Sequence, residues 1–217
     1  MSQVIISGNT SGSCTLTAPD VAGSSVLTLP VATDTLVGKA TTDTLTNKTL
    51  TSPVINGMGS SILTSSTVQN ALTTAVLFPA IPSWAKRITV MLNGVSTTST
   101  GLPTIRLGTA SSIENTGYTS SVNLIGTASV VGQVSQTSGF ELVTSGLAAS
   151  LYSGNIILTN ITANTWIISG SLGVPLASYN FLCAGNKTLA GELTQLQLTT
   201  TGGTDTFDAG SINIMWE

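Results

Sequence analysis

The chain changes character near residue 75, and the part before that point cannot build an interior of its own. Short Thr-Leu units recur there: Thr15-Leu16-Thr17, Leu27-Thr28-Leu29, Thr35-Leu36, Thr44-Leu45-Thr46 and Thr49-Leu50-Thr51. Turn formers lie between them, among them Gly12, Pro19, Gly23, Pro30, Gly38, Asn47, Pro53 and Gly57. Each unit supplies one or two apolar side chains and then turns. A packed layer needs a second apolar face. Left alone, such a segment stays disordered; alternatively, sister copies supply the missing face. Three chains wrapped about a common axis meet that need, with Leu45, Leu50, Val54 and Ile55 as the expected axis-lining residues. Residues 68–74 read as a short helix on Val68, Leu72 and Val76.

Beyond residue 75 the pattern has a period of two, as a half-buried strand requires. Ile88, Val90 and Leu92 form one inward set; Ile105 and Leu107 another; Phe140 and Leu142 alternate with Glu141. Ile156-Ile157-Leu158 is apolar on both faces, as in a central strand. Trp166 shares a face with Ile168, and Leu196 with Leu198. After a turn at Gly202-Gly203 come Ile212, Ile214 and Trp216. Asn93-Gly94 reads as a hairpin signal. The expected fold is all-β: a short extended trimer-forming shaft over residues 1–75, then an antiparallel jelly-roll-like β-sandwich of roughly eight strands over residues 76–217.

Charge sets what this fold can be used for. Only 7% of residues are charged, with six basic, nine acidic and no histidine, against roughly 25% charged in ordinary domains. The scattered basic residues leave no electrostatic footprint for nucleic acid. The missing histidine removes the commonest general base and metal ligand. No phosphate-cradling glycine motif occurs. The carboxylates Glu114, Glu141, Glu192, Asp205 and Asp208 read as surface loop groups. Cys14 and Cys183 read as free thiols that pack as small apolar residues. No stretch approaches the ~18 apolar residues of a spanning helix, and residues 1–6 lack the basic start of a signal peptide. Neither a cofactor, a metal, membrane insertion nor an enzymatic activity is expected. Sheet edges are normally guarded by charges, which are scarce here, so a defined oligomer is expected to cover them. In the segment IPSWAKR at 81–87, Trp84, Lys86 and Arg87 are candidate interface or binding residues.

Several segments together resemble a family. Residues 41–55, TTDTLTNKTLTSPVI, look like a short repeat of tailed-bacteriophage fibre and virion structural proteins. Residues 13–19 and 26–30 are similar to another phage fibre segment. Residues 81–90 (IPSWAKRITV), 113–118 (IENTGY) and 203–214 (GTDTFDAGSINI) resemble phage fibre tips. The resemblance implies a non-enzymatic homotrimer in the virion, attached to a major capsid protein or a tail or adaptor protein. Its shaft is very short, which points to a capsid-bound head fibre or decoration protein, or a short tail appendage. A tail fibre tip that recognises a host surface glycan is the alternative.

Overall fold

The computed structural model describes residues 3–7, 9–17, 20–21, 23–24, 26, 31, 49, 64–126, 130–146, 148, 150–174 and 179–217. The four shaft positions Leu45, Leu50, Val54 and Ile55 lie outside the described residues. The chain forms two compact units, Met1–Pro53 and Val54–Glu217. In the first, β1 (Gln3–Ser7) and β2 (Ser13–Thr17) make an antiparallel hairpin, with Ile5 opposite Thr15. Val4, Ile5 and Ile6 are all exposed, at 60%, 57% and 57%. Successive strand residues point to opposite faces, so Val4 and Ile6 stand bare on one face and Ile5 alone on the other, opposite Thr15.

The second unit is an antiparallel jelly-roll-like β-sandwich. Its strands are β3 (Thr64–Ser65), β4 (Gln69–Asn70), β5 (Ala75–Phe78), β6 (Arg87–Thr97), β7 (Pro103–Gly108), β8 (Tyr118–Ile125), β9 (Val130–Gln136), β10 (Phe140–Glu141), β11 (Tyr152–Thr162), β12 (Thr165–Val174), β13 (Tyr179–Thr188), β14 (Gln195–Thr200) and β15 (Phe207–Trp216). One sheet has the order β10-β7-β14-β5. The other runs β3-β15-β6-β11-β12-β13-β8-β9, with β4 also on β15. From β5 to β8 the chain alternates between the two sheets, so β5, β6 and β7 each pair with strands distant in sequence, whereas β8-β9 and β11-β12-β13 are consecutive. Among the described residues no helix is long and apolar enough to cross a membrane.

The inward sets fill the space between the sheets. Ile214, Val90 and Ile156 stand in register across β15, β6 and β11, and all three are fully buried. Ile88, Leu158 and Ile168 form the next row, facing Ile105, Leu107, Leu196 and Leu198 of the smaller sheet. Strand β11 is central, as its two-faced apolar run implies: Ile156 and Leu158 are buried and Ile157 is half-buried. Phe140 is held edge-on to Tyr118, with ring centroids 4.9 Å apart. Its ring lies over Gly185, where a Cβ would sit 3.1 Å from two ring carbons and 2.3 Å from the Thr119 carbonyl oxygen. Only glycine permits that approach.

Four expectations are corrected. Residues 68–74 are not helical: Val68 and Leu72 are both exposed, while Ala71 is buried and its N–H donates to Gly210 O at 3.0 Å. The hydrogen bonds come from β15, which makes this segment an edge of the sandwich. The sandwich therefore starts ahead of residue 76, since β3 and β4 already pair with β15. Asn93-Gly94 makes no hairpin. It lies within β6, where Gly94 (φ +62°) sits against Gly210 (φ +87°) at a register shift between β6 and β15. The strand continues because β6 is paired on both sides, and the positive φ serves a bulge instead.

The fourth correction is Glu141, which is fully buried rather than on the surface. Its Oε1 accepts from the Thr201 hydroxyl at 2.7 Å, and the Gln136 side chain also bonds it. Its Oε2 has no partner. Burial pushes this carboxyl above the ordinary 4.5, and the hydrogen bonds from Thr201 and Gln136 offset only part of that. A carboxyl that binds its proton more tightly folded than unfolded stabilises the fold at low pH, and that contribution is lost as pH rises through its folded pKa. Glu141→Gln is therefore expected to be more stable than the native chain at pH 7. It should also lose the gain in stability expected of the native chain as pH falls from neutral toward the ordinary carboxyl value of 4.5. Urea unfolding across that range measures both; a variant with the native pH slope contradicts the assignment.

Candidate functional site

Two connections lie side by side at one end of the sandwich. The β7–β8 connection closes on itself: Gly108 bridges to Ile113, Thr109 N–H donates to Ser112 O at 3.0 Å, and Glu114 N–H to Leu107 O at 2.9 Å. The β13–β14 connection is tied to it by Thr194 N–H to Gly108 O at 3.0 Å and by the Gln195 amide to Thr109 O. Between them lies a cavity of about 590 Å³. Hydroxyls of Thr109, Ser111, Ser112 and Thr116, the Asn115 amide and the Glu192 carboxylate line it, and no aromatic ring does.

An ion pair between buried Lys187 and partly buried Glu114 underlies the cavity. Lys187 Nζ lies 2.6 Å from Glu114 Oε2, with the two side chains 6% and 18% exposed. Lys187 also donates to Thr116 O at 2.9 Å and sits 5.2 Å from the Tyr118 ring centroid. Ala190 N–H donates to Glu114 Oε1 at 2.9 Å. The Tyr118 hydroxyl accepts Leu107 N–H at 2.7 Å and donates to Glu114 O at 2.9 Å. Desolvation pulls the Glu114 carboxyl upward, but the Lys187 hydrogen bond, the Ala190 N–H and the Lys187 charge together hold it below its ordinary value. Burial pushes Tyr118 up to about 12, so it stays a neutral hydrogen-bonding group. Desolvating two charges is expensive unless every lone pair and proton is used. Here Lys187 Nζ has Glu114 Oε2 and Thr116 O as partners and each Glu114 oxygen has one, and the result is a loop clamped to the sandwich by side chains rather than by a strand ladder.

Glu114 is held as a carboxylate, the opposite of what a general acid needs. Cys183 is buried, its thiol pushed up to about 12 by burial, with Sγ 3.7 Å from Gly170 O; it packs as a small apolar residue. The side chain of Cys14 lies outside the described residues. Among the described residues no group of three His, Cys, Asp or Glu side chains comes together.

The segment singled out in the sequence is at the same end. Ile81 N–H donates to Thr194 O at 2.9 Å, joining the β5–β6 connection to the cavity wall. Trp84 stands in the following turn and is 40% exposed. Lys86 and Arg87 are solvated at the start of β6, and Arg87 pairs with Glu217 at 2.9 Å with both side chains roughly half exposed. A pair so exposed contributes less than about 1 kcal/mol. Sequence reasoning placed Trp84, Lys86 and Arg87 together but missed Lys187 and Tyr118. Both lie at alternating positions of β13 and β8, where a lysine on an inward face reads as a break in the pattern. Compared with protein-family models, with curated proteins and with solved structures, the chain matches none.

Proposed function

We propose that this chain is a non-enzymatic structural protein of a tailed-bacteriophage virion. It is a short trimeric fibre or decoration protein whose N-terminal part docks on a capsid, tail or adaptor protein and whose sandwich projects. The observation that carries this reading is the β1–β2 hairpin. A lone two-stranded hairpin is marginal in water, and this one exposes Val4 and Ile6 on one face and Ile5 on the other. It needs cover on two sides. In a ring of three, every hairpin has two neighbours; in a pair it has one. The fibre-like segments at 13–19, 26–30 and 41–55 fall in this same part of the chain. An antibody raised against the sandwich tests the reading: imaged purified phage particles should be decorated on the head or the tail, and particles that lack the antigen overturn it.

A second reading is a receptor-binding tip for a host surface glycan. The hydroxyl-lined cavity, at the same end of the sandwich as exposed Trp84, favours it. A glycan array separates the two: binding supports a receptor tip, and no binding supports decoration.

A further inference from the structure

The sandwich has four sheet edges, and three are blunted. The β15 edge is covered by β3 and β4. The smaller sheet ends in β5, of four residues, and β10, of two. The remaining edge is β9, seven residues long, paired with β8 on one side and with no strand on the other among the described residues. Its sequence, VVGQVSQ, contains no charge and no proline, and no charged residue occurs between Glu114 and Glu141. Lysine, proline and extreme shortness are the usual guards of an edge, and β9 has none of them. One bulge interrupts it: Val131 pairs with Leu124 and Gln133 with Asn123, leaving Gly132 unmatched. The regular stretch is Gln133–Gln136.

We infer that β9 is an association edge and that its occupant is β9 of a second copy, antiparallel about a two-fold axis. Three features favour a copy over another partner. An antiparallel pair is self-complementary under a two-fold. An uncharged edge meets its own image without like-charge repulsion, whereas a charged partner would find nothing here to pair with. Copies are also the neighbours that the hairpin already calls for. A two-fold contact cannot close a ring of three, so it joins the sandwiches of neighbouring assemblies. A pair of tethered assemblies gains from high effective concentration even where one edge contact is weak. The inference rests on the reading above only in that both invoke copies of this chain.

The test is the mass of the full chain by light scattering, compared with a Gln133→Lys, Ser135→Lys double variant. Ser135 is exposed and pairs with Ser121 of β8, so the fold should tolerate the change, which circular dichroism checks. The native mass is expected to be twice the variant's at high concentration. A Gln133→Glu, Ser135→Glu variant alone should also be halved, and mixing the two variants should restore the doubled mass through opposite charges across the strands. Equal masses for native and variant, with both folded, overturn the inference. Whether the variant's mass is three chains or one tests the trimer separately.

Discussion

Replacing Phe140 with alanine is expected to lower the unfolding free energy of the sandwich by about 4 kcal/mol, in the usual range for removing a buried aromatic ring. The ring is fully buried, meets Tyr118 edge-on, and occupies the space that Gly185 leaves open. Alanine would leave a cavity between two sheets whose backbones are fixed by their ladders, so little collapse can fill it. Tyr118 would lose the ring that holds it beneath the cavity loop, and the Glu114–Lys187 pair should become more mobile. Urea unfolding measures the cost; a loss below about 1 kcal/mol would show that the site repacks.

Leu50→Asp is expected to abolish the trimer while the sandwich stays folded. In the proposed shaft it places three carboxylates together in apolar surroundings, and an unpaired buried charge costs far more than the leucine contributed. The sandwich has its own complete core of residues from Ala71 to Ile214, so its thermal transition should hardly move. Size-exclusion chromatography with light scattering reads the first effect and circular dichroism the second. A Leu50→Asp chain with the native mass would contradict the shaft.

How far the sequence could be read follows from what faces inward on each strand. Strands β6, β7, β11, β14 and β15 were legible because each carries a run of aliphatic residues at alternating buried positions: Ile88, Val90, Leu92, Ile105, Leu107, Ile156, Leu158, Leu196, Leu198, Ile212 and Ile214. Strand β8 was not, because Ser120 lies among its inward residues, its hydroxyl accepting Glu141 N–H at 3.0 Å. In β13 the inward series is Phe181, Cys183, Gly185 and Lys187: the glycine makes room for Phe140 and the lysine serves Glu114. Of the polar exceptions that hid these strands, Lys187 holds Glu114 of the cavity lining and Ser120 holds the Glu141 backbone. Glu141 was misplaced for a similar reason, since a carboxylate between two apolar residues reads as a solvent-facing alternation. It is buried where β10 pairs with β7, and the groups that satisfy it there are Thr201, 60 residues downstream, and Gln136 at the end of β9. Such pairings follow from the order of strands in the sheets, which no local pattern encodes.

The most direct measurement is the number of chains in the full-length protein at sedimentation equilibrium. The hairpin, with Val4 and Ile6 bare on one face and Ile5 on the other, predicts a mass that is a multiple of three chains of 22.0 kDa. A single 22.0 kDa species that keeps its hairpin folded at working concentration would contradict the account.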